Sequence, residues 1–374
     1  MKDEILRRSW VEVDLEQLKR NVEIYGDQLA PESQIMAVVK ADAYGHGDIE
    51  VVRALREIGI DLFAVSNIKE ALRVRSVGID GTIIVLGYTP IREIELAVSN
   101  DITQTIVCEE YAQEIIKEYG DKAKALKAHV ALDTGMNRIG VSADNPQYCE
   151  QVIREWATKF DLTGAFTHLC VADSDDPESV GFTNRQIALF EAVMDRVTDL
   201  NLLQIHCLNS AGGLWRQTKY HDIVRLGIIM YGLKPDYQNV LPEGIKPVLT
   251  WKSVVSMVKT VKEGETIGYG RTYKTEKNMI VATIPTGYAD GYNRHLSNKG
   301  FVLIRGAKAP IVGQVCMDQM MVDVTGIDCQ MGEEVVLLGT DENNQFSADD
   351  MAQILGTIGY EIVCDIGRRV IRYY

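Results

Sequence analysis

The sequence predicts an α/β fold, a (β/α)8 TIM-like barrel followed by a mainly-β C-terminal domain. Before residue 240, eight short β-rich runs alternate with amphipathic stretches, the strand count of a closed barrel. Asp236, Asn239, Pro242, Gly244 and Pro247 then break the rhythm and read as a linker. Beyond them apolar residues recur with a period of two, which points to a second domain built of strands.

Taken in order, residues 9–13 read as a strand that could pair with the second domain, and residues 1–13 are assigned to that pairing. A helix is predicted over 15–29, because Leu15, Leu18, Val22, Tyr25 and Leu29 fall on one face. Asp14 can cap it, with Gln17 at the third helical position to answer back. Barrel strands are expected at 36–40, 61–65, 82–86, 103–107, 127–132, 162–167, 203–207 and 222–226, with helices such as 48–58, 109–118 and 185–200 between them. An open doubly wound sheet is the competing architecture. It usually has fewer strands, and no GxGxxG follows any of these runs. The domains divide as 1–243 and 244–374. The second is expected to hold strands at 250–261, 280–284, 301–304, 311–315, 320–324 and 334–338, with 348–355 as its only helix.

Composition narrows the function. The 374 residues are 46% hydrophobic and 25% charged, with a net charge of −14, which is ordinary globular content. With no basic block, a nucleic-acid partner is not expected. No apolar run approaches the roughly 18 residues of a membrane span, and the charged start of the chain does not resemble a signal peptide. Seven widely spaced cysteines without a CxxC read as reduced thiols of a cytoplasmic protein. They and the six histidines show no zinc-like spacing, so no metal is expected.

The chemistry gathers where a barrel keeps its active site, at the C-terminal ends of the strands. Lys40 ends the apolar run 36–39. At such a mouth, partial burial would lower its pKa and make the amine fit for Schiff-base chemistry; a lysine snorkelling to solvent is the alternative. After strands seven and eight come Ser210, Gly212 and Gly213, then Gly227 and Ile228. They could cradle a phosphate, or form a plain glycine-rich turn. A Schiff-base lysine and a phosphate seat on one rim together point to pyridoxal 5'-phosphate. The second domain sets Tyr269, Tyr273, Tyr288 and Tyr292 among glycines, and Cys316-Met317-Asp318-Gln319 is read as ending a strand. Asp42, Asp290 and Asp318 could pass for a carboxylate pair, but nothing in their spacing supports glycosidase chemistry.

The run 37–47, AVVKADAYGHG, resembles the cofactor-lysine signature of bacterial alanine racemases. The segments 133–140, 166–168, 209–212, 224–225, 287–291 and 316–319 follow in the family's order, so the resemblance spans essentially the whole chain. It implies a head-to-tail homodimer with the cofactor on Lys40. Tyr44, Ser210, Gly227, Ile228 and Tyr360 would hold the phosphate, with Asn209 beside them. His168 would lie against the pyridine ring, Arg138 would bond the ring hydroxyl on the substrate side, and Arg225 would face the ring nitrogen. Tyr269 from the partner would be the second base, opposite Lys40. Met317 would help bind the substrate carboxylate with Asp318 beside it. Tyr288 and Tyr292 would line the access corridor.

The implied reaction is the interconversion of L- and D-alanine for peptidoglycan. A serine or broad-specificity racemase is the alternative on the same scaffold, and keeping Tyr360 favours alanine. A decarboxylase of related architecture usually has an acidic residue where Arg225 stands, and a non-catalytic cofactor carrier resembles the barrel alone. The sequence departs from the family at Ala131, where a lysine, often carbamylated, is usual; a bound anion or another carboxylate is expected to face Arg138 in its place. Leu169-Cys170-Val171 and Gly268 are further departures.

Overall fold

The computed structural model describes residues 8–374. The charged start of the chain, and the assignment of residues 1–7 to the second domain, fall outside that range. Eight parallel strands form the barrel wall in the order Ile223–Leu226, Gln34–Val38, Leu62–Val65, Ile83–Val85, Thr103–Ile106, Lys127–Asp133, Asp161–Phe166 and Gln204–His206. A bridge between Asn209 and Arg225 joins the last to the first, with Arg225 N donating to Leu208 O at 3.0 Å. Met36, Ala37, Phe63, Ala64, Ile84, Val130 and Ala165 are fully buried, as the wall of a filled barrel requires.

Helices pack outside this wall. Leu15–Gly26 turns Leu18, Val22 and Tyr25 inward, and Asp14 caps it by accepting from Gln17 N at 2.8 Å. The helix stops short of Leu29. Gln17 does not answer back to Asp14; its amide instead donates to Asn21 Oδ1 at 2.8 Å and Gly244 O at 3.1 Å, a buried tie to the linker. The helix expected over 185–200 runs from Pro177 to Met194 under an Asp176 cap. A proline's fixed φ suits a first helical turn.

In the second domain one sheet runs Ala307–Pro310, Phe301–Ile304, Glu334–Asp341, Leu249–Val254, Ser9–Val13, Ile371–Tyr373. The strand Ser9–Val13 pairs antiparallel with Leu249–Val254 and parallel with Ile371–Tyr373, so the described start and the end of the chain meet here. Met257–Val261, Met279–Ile284 and Met320–Asp323 form a second sheet. The run expected as one strand over 250–261 is therefore split between two sheets, with Ser256 turning to bond Thr283 O through both N and Oγ. Residues 311–315 are not a strand. Gly313 has φ +85°, which breaks the extended run, and Ile311 keeps only a bridge to Val322. Cys316-Met317-Asp318-Gln319 accordingly forms a tight turn before a strand rather than ending one, closed by Cys316 N to Gln319 O at 2.8 Å. Ala348–Leu355 is a helix but not the only one, because Gly359–Cys364 forms another. Six residues are too few to show a helical period.

Candidate active site

The first barrel strand ends at Val38, and Lys40 opens a left-handed turn instead of ending the strand. Ala41, Asp42, Ala43 and Tyr44 have φ of 54, 56, 52 and 53°. Such backbone costs L-residues roughly 1–2 kcal/mol each, so the surroundings must hold it. Glu70 Oε1 accepts from Ala41 N at 3.0 Å. Asp42 Oδ1 accepts from Asp48 N at 3.1 Å and Arg73 Nη2 at 2.7 Å. His46 Nδ1–H is shared between Ala43 O at 3.0 Å and Tyr44 O at 2.9 Å, which fixes its tautomer.

The turn sends Lys40 and Tyr44 into one cavity of about 240 Å³ at the C-terminal ends of the strands, lined also by His168, Asn209, Ser210, Arg225, Gly227, Ile228 and Tyr360. Burial lowers the Lys40 pKa, and the charge of Arg138 lowers it further, against Glu70 and Cys364. Among the described residues no hydrogen bond or ion pair holds its amine, so the nitrogen is left for chemistry.

At the far end of the cavity, Tyr44 Oη and Ser210 Oγ converge on Gly227. A Cβ on Gly227 would meet them at 3.0 and 3.6 Å. Tyr25 Oη donates to Ser210 O at 2.8 Å, and Gly227 N donates to Ser210 Oγ at 2.7 Å. Hydroxyls around a spot where any side chain would intrude suit a phosphate group. Asn209 frames this seat: its Oδ1 caps the next helix at Gly212 N, 2.8 Å, and its Nδ2 donates to Leu169 O at 3.0 Å. Tyr360 closes the same end, its ring 6.0 Å from that of Tyr44.

Arg225 is 3% exposed. Its Nη1 donates to His206 Nδ1 at 2.8 Å and His206 O at 2.9 Å, and its Nη2 to Thr167 O at 2.7 Å and His168 Nδ1 at 3.2 Å. An arginine can only donate, so both histidines accept through Nδ1. His206 Nε2 then donates to His129 Nδ1 at 3.0 Å. Burial pushes His168 and His206 well below the ordinary histidine range, with Arg225 adding to it. Arg225 itself is lowered to about 10 by burial and stays charged at neutral pH. His129 and His206 escaped the sequence reading, although each sits in a barrel strand where alternate residues point inward.

Arg138 lines a smaller neighbouring cavity of about 20 Å³ with Ala131, Asp133 and His168. Asp133 faces the same cavity, but its Oδ1 accepts from Gly135 N at 2.9 Å and Asn137 N at 3.0 Å. Among the described residues Arg138 has no ion pair, and Asp133 is the carboxylate that shares its cavity.

The C-terminal candidates lie elsewhere on the same chain. Tyr269 is 71% exposed, on a short turn against a separate cavity with Arg271, Cys316 and Gln319. Arg271 Nε donates to Thr266 Oγ1 at 2.9 Å. Tyr288 and Met317 are exposed, and Asp318 Oδ1 takes Arg369 Nη2 at 2.6 Å. Tyr292 is not a corridor residue: it is fully buried, its ring 5.7 Å from that of Trp251.

Fold and site together define a class, the barrel enzymes that carry a lysine at the barrel mouth and a second, mainly-β domain. Residues 13–235 match the alanine racemase N-terminal domain and 248–374 the alanine racemase C-terminal domain. An alanine racemase of Clostridium perfringens is 41% identical, over 100% of this chain and 96% of that one. The crystal structure of alanine racemase from E. faecalis aligns with a TM-score of 0.92 and 33% identity, covering 98% of both chains. Alanine racemase from Bartonella henselae, solved with covalently bound pyridoxal phosphate, aligns at 0.88 and 29%, covering 98% of this chain and 99% of that one. The chain belongs to the alanine racemase family, a family of isomerases.

Proposed function

We propose that this protein interconverts L- and D-alanine with pyridoxal 5'-phosphate held on Lys40, and that it does so in the cytoplasm as a supply of D-alanine for peptidoglycan. One observation carries the reading: a lysine amine lowered by burial shares a cavity with a hydroxyl-lined seat at Gly227 and a buried, charged arginine. When bound, the cofactor supplies an aldehyde that joins covalently to an amine and a ring that draws electrons from the α-carbon. Tyr44, Ser210, Gly227, Ile228 and Tyr360 would hold its phosphate, His168 would pack on its ring, and Arg138 would meet its hydroxyl and the substrate side.

Arg225, which stays charged, would face the ring nitrogen as a donor and keep it from gaining a proton. Such an arrangement would restrain the ring's electron withdrawal and disfavour transamination. Lys40 Nζ moves the α-proton on one face. The other face needs a second base, since one base alone mostly returns the same isomer. Tyr269 Oη takes this role from a second copy of the chain, which agrees with its exposure and its place outside the Lys40 cavity. Met317, Asp318 and Tyr288 would reach the substrate from that copy as well. Tyr360 narrows the cavity and favours alanine over serine, a margin of about 1–3 kcal/mol for so small a difference. The test is Lys40→Ala, which is expected to abolish both the yellow colour of the cofactor-loaded protein and racemisation. A colourless variant that still racemises alanine would overturn the proposal.

A further inference from the structure

The loops bearing Tyr288 and Met317 share one buried anchor. Asp290 is 0% exposed. Its Oδ2 accepts from Gly287 N at 2.9 Å and closes its own loop. Arg8, just ahead of the strand Ser9–Val13, forks onto both carboxylate oxygens: Nη1 meets Oδ2 at 3.2 Å and Nη2 pairs with Oδ1. The same Nη1 donates to Pro285 O at 2.6 Å. Arg369, just ahead of Ile371–Tyr373, sets Nε on Asp290 Oδ1 at 2.7 Å and Nη2 on Asp318 Oδ1 at 2.6 Å. The two loops also meet directly, through Tyr288 N to Cys316 O at 3.0 Å and Ala289 N to Met317 O at 2.9 Å.

A buried carboxylate is costly unless paired, and here both partners come from segments flanking the paired end strands. Arg8 reaches the Met317 turn only through Asp318 O, at 3.5 Å, whereas Arg369 ties the carboxylates of both loops together, with Nε on Asp290 and Nη2 on Asp318, a directed fork that a lysine would reproduce only in part. We propose that Asp290, Arg369 and Asp318 form a strut that fixes the Met317 turn relative to the Tyr288 loop, with Arg369 as a positioning residue for substrate binding. The strut rests on the racemase reading, in which Met317 helps hold the substrate carboxylate. It places Arg369 in the KM for alanine, through residues it does not itself replace.

Asp290→Asn would leave two arginines around a neutral buried amide and could simply unfold. Arg369→Gln changes a residue that is 43% exposed and is the better test. It is made in the cofactor-loaded protein, with steady-state racemisation and hydrogen exchange measured together. The variant should raise KM for alanine about tenfold while kcat changes less than about threefold. Exchange should quicken over 286–292 and 316–320 and stay unchanged over 223–231. Arg369→Lys should recover part of the loss. Wild-type KM with wild-type loop exchange, or faster exchange throughout with KM unchanged, would overturn the strut. If the wild type fails to racemise alanine, the functional reading falls, and the loop exchange alone then supports or overturns the strut.

Discussion

Arg225 and Lys40 sit at one rim and are both lowered by burial, with different consequences. The arginine falls to about 10 and remains a fixed donor, while the lysine, lowered from 10.5, is brought closer to the neutral amine that attacks carbonyls. Tyr269 is a different kind of residue, exposed on its own chain. If it is the second base, Tyr269→Phe should keep the yellow cofactor but slow proton transfer on its face by about 10²–10⁴-fold. Deuterium wash-in from each enantiomer measures this, and equal wild-type rates in both directions would contradict the role. Lys40, Ser210 and Arg225 were legible in the sequence because polar residues within or just after the C-terminal ends of apolar strands stand at a barrel mouth. His206 and His129 were not, since a lone histidine in a strand looks the same whether it faces the barrel interior or the helices. Tyr292 misled for the opposite reason: it follows Gly291 in a glycine-containing loop, yet its ring fills core space beside Trp251.

At the scale of elements, the left-handed turn over 41–44 is the most consequential feature. No sequence pattern announced it, because Ala41, Asp42 and Ala43 suit an ordinary helix as well. It stands because Glu70, Asp42 with Arg73, and His46 bond it from three sides. Gly45 then follows with φ +79°, and a Cβ there would collide with Val363 O on the helix that carries Tyr360. Gly45→Ala should therefore cost about 2–4 kcal/mol, from left-handed strain plus overpacking, and weaken cofactor binding with it. Denaturant unfolding and cofactor titration check this; unchanged stability would mean that the turn is not locked against that helix. The barrel strands were readable as short apolar runs. The strand at 311–315 was misread because Gly313 looks harmless within an apolar run, and Gly359–Cys364 was too short to show a period.

At the scale of the whole molecule, the core holds histidines that cannot take a proton in place. Burial lowers His46 to about 4 and His129 to about 3 from an ordinary value of 6.5. Between these values and 6.5 the unfolded chain binds more protons than the folded one. Stability is thus complete above about pH 6.5 and is lost as pH falls below it. At pH 5 the two should together cost roughly 2–4 kcal/mol, measurable as a lower denaturant midpoint than at pH 7.5. An equal midpoint at both would contradict their burial as neutral bases. The pairing of Ser9–Val13 with Leu249–Val254 and Ile371–Tyr373 binds the described start of the chain to its end, and it sets Arg8 and Arg369 on the same carboxylate.

The most direct measurement follows L-alanine by chiral chromatography after mixing with cofactor-loaded protein. D-alanine should accumulate until the two enantiomers are equal, with no pyruvate formed. A protein that is yellow, and so carries the cofactor on its lysine, yet leaves L-alanine unchanged would contradict the account.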